Sequence, residues 1–250
     1  MHRIILKLPF LTIYTWGVMA ALGFGVAILY FITSTKKYNL PRYLMLNLVV
    51  GIVIFSIVGA RLFYISAHLN YYYLHPDKTY RLWEGGEVFY GGLFFALTFS
   101  IFYIKTHNLS LGKIADCAAP GIAFGFSIGR IGCFLNGCCY GIPFSFGFIF
   151  PPTSPAGKAF PHQTLFPTQL LSSFNLFTIG LVLHLFKKEG IAKYKLLPLF
   201  LILYSVHRFF IEFFRGDTYP IFFNLTLFQI VSIILAVFSL IWWRIATDLP

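Results

Sequence analysis

Seven apolar runs, each about twenty residues long, leave this 250-residue chain few ways to fold. They lie near Leu11–Thr33, Tyr43–Ile65, Val88–Thr106, Ile114–Phe134, Thr168–Phe186, Leu196–Phe214 and Ile221–Trp243. A segment of that length satisfies its backbone inside hydrocarbon by becoming an α-helix. The sequence therefore predicts an all-α membrane protein of about seven transmembrane helices. Charged residues make up only 11% of the chain, where a soluble domain carries roughly 25%. The net charge of +11 does not argue for a nucleic-acid partner, because the basic residues are scattered through short loops between apolar runs. Such loops suit a lipid bilayer with anionic headgroups.

Orientation follows from the basic residues. One set of loops holds Lys36, Lys37, Arg42, Lys105, Lys113, Lys187, Lys188, Lys193, Lys195 and Arg244; the opposite set holds Arg3, Lys7, Lys78, Arg81, Lys158 and Arg215. The richer set belongs in the cytoplasm, which places the N-terminus outside and the C-terminus inside. The first run, with Gly17, Gly23 and Gly25 inside it, reads as a full-length span and not as a cleavable signal. Two external segments are expected, at about 70–87 and 135–167. The second includes Pro143–Pro167, whose six prolines forbid a continuous helix and suggest an ordered arm or lid, or else disorder at its Pro151–Lys158 tip. Residues 1–250 are expected to form a single polytopic membrane domain.

Three arginines, Arg61, Arg130 and Arg208, fall inside spans. An arginine at mid-bilayer costs roughly 2.5–3.5 kcal/mol on insertion scales, so each needs an anionic partner or ligand. Arg130 opens the stretch Gly129–Gly141, in which four glycines and Asn136 suggest a helix ending in a backbone-lined polar pocket. Tyr204, Arg208, Glu212 and Arg215 fall within one quadrant of the sixth helix at about 100° per residue. This stripe is either a buried ion-pair ladder or an anion site in which Glu212 orients two guanidiniums for bidentate phosphate binding. Arg61 either snorkels to the interface or joins Arg130 in a surplus of positive charge at outer-headgroup depth, where an anionic lipid headgroup would bind.

The stretch Trp83-Glu84-Gly85-Gly86-Glu87-Val88-Phe89-Tyr90-Gly91-Gly92 leaves room for a ligand beside its glycines, including Gly91 and Gly92. Tyr90 reads as an acid/base group or hydrogen-bond donor, or as an interfacial tyrosine. Among the cysteines, Cys133, Cys138 and Cys139 cluster, with Cys117 about four turns back. No histidine stands at zinc-ligand spacing and no CxxC occurs, so the sequence predicts no metal and no cofactor. In an oxidising compartment Cys133 could pair with Cys138 or Cys139; packed free thiols are the alternative.

These residues, taken in order, resemble the bacterial prolipoprotein diacylglyceryl transferase family. Tyr14–Met19 resembles its first-span YG motif and Gly59-Ala60-Arg61-Leu62 its GxRL. Gly85–Gly92 resembles GG-x-x-FHGG, and Gly129–Gly141, following Asp116, Ala119 and Pro120, resembles GRxGNFxNxE. Phe166–Leu170 resembles HPTQLYE, the Tyr204–Arg215 stripe resembles YxxxRFxxExxR, and Gln229 and Ser232 resemble QxxS. The chain departs from the pattern at Trp16, Tyr90, Cys133, Cys138, Phe166 and Ser172.

The resemblance implies a reaction: the diacylglyceryl group of phosphatidylglycerol moves to the lipobox cysteine of a prolipoprotein, releasing glycerol phosphate. It also implies a bacterial cytoplasmic (inner) membrane location with an active site toward the outer face. On this reading Arg130, Arg208, Tyr90 and Glu212 are catalytic. Arg61, Asn136, Gly129, Tyr204, Arg215, Gly91 and Gly92 bind substrate. The group that takes the thiol proton is left open between Glu212, a tyrosinate and direct acidification by arginines. The competing readings are a non-catalytic lipid-binding homologue, a transporter with a buried charge network, and a thiol oxidoreductase using Cys133, Cys138 and Cys139.

Overall fold

The computed structural model describes residues 4–8, 11–81, 88–191 and 194–246. The chain divides into two compact units, Met1–Ser34 with Gly112–Pro250, and Thr35–Leu111.

In the first unit a β-hairpin of β1 (Ile4–Leu8) and β2 (Leu11–Tyr14) runs directly into α1 (Thr15–Thr35). Helix α5 (Leu111–Asn136) crosses α1 at glycines on both sides. A Cβ on Gly23 would stand 2.6 Å from the Gly125 carbonyl oxygen, and one on Gly125 would stand 2.7 Å from that of Gly23. Small residues of this kind let two backbones meet where lipid supplies no hydrophobic drive. Helices α7 (Thr168–Glu189) and α8 (Leu196–Ile211) pack on α5 around Ala119, Ala123, Leu183, Leu196 and Phe200. The α5–α7 contact carries a reciprocal pair: Ser127 Oγ donates to the Ser173 carbonyl at 2.8 Å, and Ser173 Oγ donates to that of Ser127 at 2.9 Å. Asp116, fully buried on α5, accepts from the backbone N–H of Tyr194 at 2.6 Å and of Leu196 at 2.9 Å. It thereby satisfies orphan donors at the start of α8.

The proline-rich segment is folded. Strand β3 (Pro143–Ile149), the short helix α6 (Pro155–Ala159) and β4 (Thr164–Leu165) enclose a small core of Phe150, Ala156 and Leu165. Ser154 Oγ caps α6 by accepting from Gly157 N–H at 3.1 Å, so the Pro151–Lys158 tip has defined structure. After α8 a 3-10 turn (Glu212–Phe214) leads to a hairpin of β5 (Pro220–Phe222) and β6 (Leu225–Thr226), then to α9 (Leu227–Ile245). Thr226 and Gln229 form a capping box at the start of α9, each side chain bonded to the other's backbone N–H.

The second unit pairs α2 (Arg42–Ala67) with α4 (Phe89–Thr106) through Gly59 and Gly91, with the short α3 (Leu69–Leu74) following α2. A Cβ on either Gly59 or Gly91 would lie 2.6 Å from the other's carbonyl oxygen.

Among the described residues six helices are long and apolar enough to cross a membrane: Thr15–Tyr38, Arg42–Ala67, Leu111–Asn136, Thr168–Glu189, Leu196–Phe214 and Leu227–Ile245, the first and fifth including a 3-10 turn. Their outward faces are lined with exposed apolar side chains such as Phe24, Leu29, Ile234 and Phe238. This is a multi-pass membrane protein. The expected third span is present as the 18-residue α4 but is not among the six.

Two expected starts need correction. The first helix begins at Thr15 and not Leu11, because Leu11–Tyr14, rich in β-branched and aromatic side chains, is taken up as a strand. The last begins at Leu227 and not Ile221. Phe223 and Asn224 both adopt left-handed backbone (φ 47° and 57°), which turns Phe222 back onto Leu225 as a two-residue hairpin.

Candidate active site

The first unit gathers most of the residues singled out in the sequence. Arg208 lies in the last turn of α8, and Glu212 follows it by one turn at the start of the 3-10 segment. The pair is buried, with Arg208 Nη2 at 3.0 Å from Glu212 Oε2. Arg215 Nη1 approaches the same oxygen at 3.9 Å. The contacts are ionic and not well-aligned hydrogen bonds, since Glu212 Oε2 has no hydrogen-bond donor of good geometry. Glu212 Oε1 accepts from Thr226 Oγ1 at 3.0 Å, which ties the carboxylate to the capping box of α9.

Arg215 sits beyond the helix in extended backbone and forks onto Asp217, Nε to Oδ1 at 2.8 Å and Nη2 to Oδ2 at 2.7 Å. Burial works against its charge, but the Asp217 hydrogen bonds and nearby anions raise its pKa above the usual guanidinium value. It stays charged. Phe228, which the sequence reading passed over, lies under both guanidiniums, 4.4 Å from Arg208 Cζ and 5.8 Å from Arg215 Cζ, as in cation–π contacts.

Arg130 is half-buried on α5, near enough to act electrostatically on Arg208, His207 and Cys139. Among the described residues it has no carboxylate at ion-pair distance. Among the described residues Arg130, Arg208 and Arg215 meet two carboxylates, Glu212 and Asp217, so guanidiniums outnumber carboxylates by one in this cluster. Gly121, Gly125 and Gly132 on the same helix press against α1, whereas a Cβ on Gly129 would meet open space. Room therefore exists beside Arg130.

The loop after α5 is held from several directions. Thr168 Oγ1 donates to the Cys139 carbonyl at 2.8 Å, and Gln169 Nε2 donates to that of Cys138 at 2.9 Å. Gly141 bridges Arg215, and Gly216 N–H donates to the Tyr140 carbonyl at 3.0 Å. Gly141 must be glycine, because its Cβ would lie 2.3 Å from the Phe166 carbonyl oxygen. The Asn136 side chain, at the end of α5, reaches the Cys138 sulfur. Arg215 and Arg130 both lie near enough to the Cys139 thiol to act on it electrostatically. Tyr204 packs in the α8 layer against Phe126 and Phe200 and acts electrostatically on Arg208.

His207 also escaped the sequence reading. It sits three residues after Tyr204, a spacing that already places it beside the stripe, and its Nδ1 lies 3.2 Å from Asn175 Nδ2 on α7. Nothing in the sequence pointed to Asn175.

Arg61, Tyr90, Gly91 and Gly92 belong to the second unit. Arg61 is buried and donates to three backbone carbonyls of the turn that follows α3: Thr79 at 3.0 Å from Nε, with Lys78 at 2.6 Å and Arg81 at 3.2 Å from Nη2. It also lies 5.4 Å from the Tyr72 ring. Within this unit it is buried and does not snorkel, and these bonds organise a turn. Gly91 and Gly92 bring α4 against α2, with a Cβ on Gly92 falling 2.8 Å from the Ser56 carbonyl oxygen. Tyr90 is exposed. Trp83, Glu84, Gly85, Gly86 and Glu87 lie outside the described residues.

Residues 3–245 match the family described as prolipoprotein diacylglyceryl transferase. Relatives include phosphatidylglycerol–prolipoprotein diacylglyceryl transferase 2 of Clostridium perfringens (33% identical, covering 94% of this chain and 91% of the relative). The enzymes named phosphatidylglycerol–prolipoprotein diacylglyceryl transferase of Geobacillus kaustophilus (32%; 97% and 92%) and Bacillus licheniformis (31%; 94% and 88%) are similar over the same extent.

Proposed function

Since the chain belongs to the prolipoprotein diacylglyceryl transferase family, and so transfers diacylglyceryl from phosphatidylglycerol to prolipoprotein, we propose that its arginine cluster is the seat of that reaction. The observation that carries this reading is the surplus charge. One phosphodiester brings one negative charge, and the cluster of Arg130, Arg208 and Arg215 exceeds Glu212 and Asp217 by one.

In the reaction the acceptor sulfur attacks the diacylglyceryl methylene carbon. The carbon–sulfur bond forms as the carbon–oxygen bond to phosphate breaks, and the electron pair stays on the phosphate oxygen. The leaving glycerol phosphate therefore gains negative charge as the transition state is reached. Guanidiniums fixed in a water-poor site stabilise that charge without reorganising, an effect worth roughly 2.7–4 kcal/mol per donor in comparable sites. Arg208 and Arg215 are held in place by their carboxylates, and Arg130 supplies the unspent charge. Asn136 and the open side of Gly129 provide a polar flank for the glycerol head. Arg130 and Arg208 acidify the acceptor thiol, whose proton leaves to water; His207, steadied by Asn175, lines the site beside them. Arg61 orders the turn at 78–81 in the second unit. Tyr90 serves as a hydrogen-bond donor to the lipid.

The acceptor is the lipobox cysteine of the prolipoprotein, and the site opens to the outer face of the bacterial cytoplasmic membrane. The protein crosses that membrane seven times, α4 included. The test is reconstitution in vesicles containing phosphatidylglycerol with a lipobox peptide. A peptide mass gain equal to one diacylglyceryl group, absent when the peptide cysteine is serine and absent without phosphatidylglycerol, is the expected result. Transfer from phosphatidylethanolamine alone, at an equal rate, would overturn it.

A further inference from the structure

The end of α5 is closed by a Schellman motif: Gly137, at φ +73°, donates its N–H to the Phe134 carbonyl at 3.1 Å, and Cys138 donates to that of Cys133 at 3.2 Å. That motif brings the side chains at its first and last positions into contact. In most helices the contact is apolar; here both partners are cysteines, Cys133 and Cys138. Successive side chains normally diverge, but Cys139 takes φ +57°, a left-handed conformation that non-glycine residues seldom adopt. The result is that three sulfurs lie within 4.8 Å of one another, half-buried.

We propose that Cys133, Cys138 and Cys139 form a three-thiolate site for a thiophilic metal ion of the Zn²⁺ class. Bonds of about 2.3 Å from sulfur to such an ion place its ligands roughly 3.8–4.0 Å apart, a separation these side chains reach with small rotations. The backbone of the site is fixed by the Gln169 and Thr168 bonds to the Cys138 and Cys139 carbonyls and by the Ala156 N–H bond to Gly137 at 2.9 Å. A disulfide would use two of the sulfurs and strand the third, whereas an ion uses all of them. Three thiolates around a divalent ion leave one negative charge, and Arg215 and Arg130 lie close enough to act on it. The fourth position is open to water, and Asn136 contacts the Cys138 sulfur as an outer partner of the kind that orients metal ligands. The cysteines cluster in sequence, but their C-x4-C-C spacing with no histidine does not match a zinc motif, and the fold is what brings the three sulfurs together.

The test uses the full chain purified in detergent with reductant, stripped by chelator, loaded with Zn²⁺ or Cd²⁺ alone and desalted. One ion per chain is expected, with a sulfur-to-cadmium charge-transfer band in the ultraviolet and a Zn²⁺-dependent rise in melting temperature. Cys133→Ser, Cys138→Ser and Cys139→Ser should each weaken binding by more than the about 100-fold that loss of an outer partner alone can cause. Cys117→Ser, outside the cluster, should bind like the parent. Metal-free melting curves show that each variant is folded. Failure of the unsubstituted protein to retain an ion would overturn the proposal, as would retention by the triple serine variant. So would a titration finding two free thiols instead of four in protein isolated without reductant.

Discussion

Truncating Arg130 and truncating Arg208 should part company, the first costing catalysis alone and the second costing catalysis and stability together. Arg208 stands 3.0 Å from a carboxylate buried with it, a gross attraction of about 5–6 kcal/mol at an effective dielectric of about 20. Most of that offsets the cost of removing both groups from water. Deleting one member leaves the other unpaired, which typically costs about 3–5 kcal/mol. Arg215 remains 3.9 Å from Glu212 to absorb part of the loss, so Arg208→Ala should fall at the low end, about 3 kcal/mol. In a chain of this size that corresponds to roughly 6–12 °C of melting temperature. Arg130 has no such partner among the described residues and sits beside other cations. Its removal relieves repulsion, so Arg130→Ala should melt at or above the parent temperature. Its kcat/KM should still fall about 10²–10³-fold, the scale for losing one donor to a developing oxyanion. Thermal unfolding in detergent and transfer to a lipobox peptide in vesicles read the two effects separately. Equal destabilisation by both substitutions, or a fully active Arg130→Ala, would refute the account of a single unspent guanidinium.

Other substitutions probe the scaffold and the proton path. Gly125→Leu should lower stability by about 1–3 kcal/mol in a melting assay, because even its Cβ would stand 2.7 Å from the Gly23 carbonyl oxygen. Asp116→Ala orphans the N–H groups of Tyr194 and Leu196 and should cost about 1–3 kcal/mol for each. Faster amide exchange over the first turn of α8 is the direct readout. His207→Ala removes the contact to Asn175 between α7 and α8 and should leave kcat within about tenfold of the parent, less than the loss of a general base would cost. A fall of about 10²-fold or more, partly restored by added imidazole, would place His207 in the proton path instead.

The helical membrane class could be read directly, because hydropathy sums along the chain and a run such as Thr168–Phe186 is apolar whatever it packs against. The Arg208–Glu212 contact could be read as well, since four residues on one helix face meet by geometry alone. Arg215 was placed on that stripe correctly in charge but not in conformation, as it lies past the helix end and forks onto Asp217. Arg61 had the same signal as Arg130, an arginine near the end of an apolar run. What separates them is that Arg61 finds three carbonyls of a turn more than fifteen residues away along the chain.

What the sequence determined by itself was the solvent of this protein, the helical class that solvent demands, the family, and a positive charge too large for its acids. The tertiary structure decided which guanidiniums are spent and which is left over, where the first and last helices begin, and that three cysteines face one point. The reason is one of range. Burial cost and helix periodicity are properties of a residue and its near neighbours, whereas a partner is set by backbone that arrives from elsewhere in the chain.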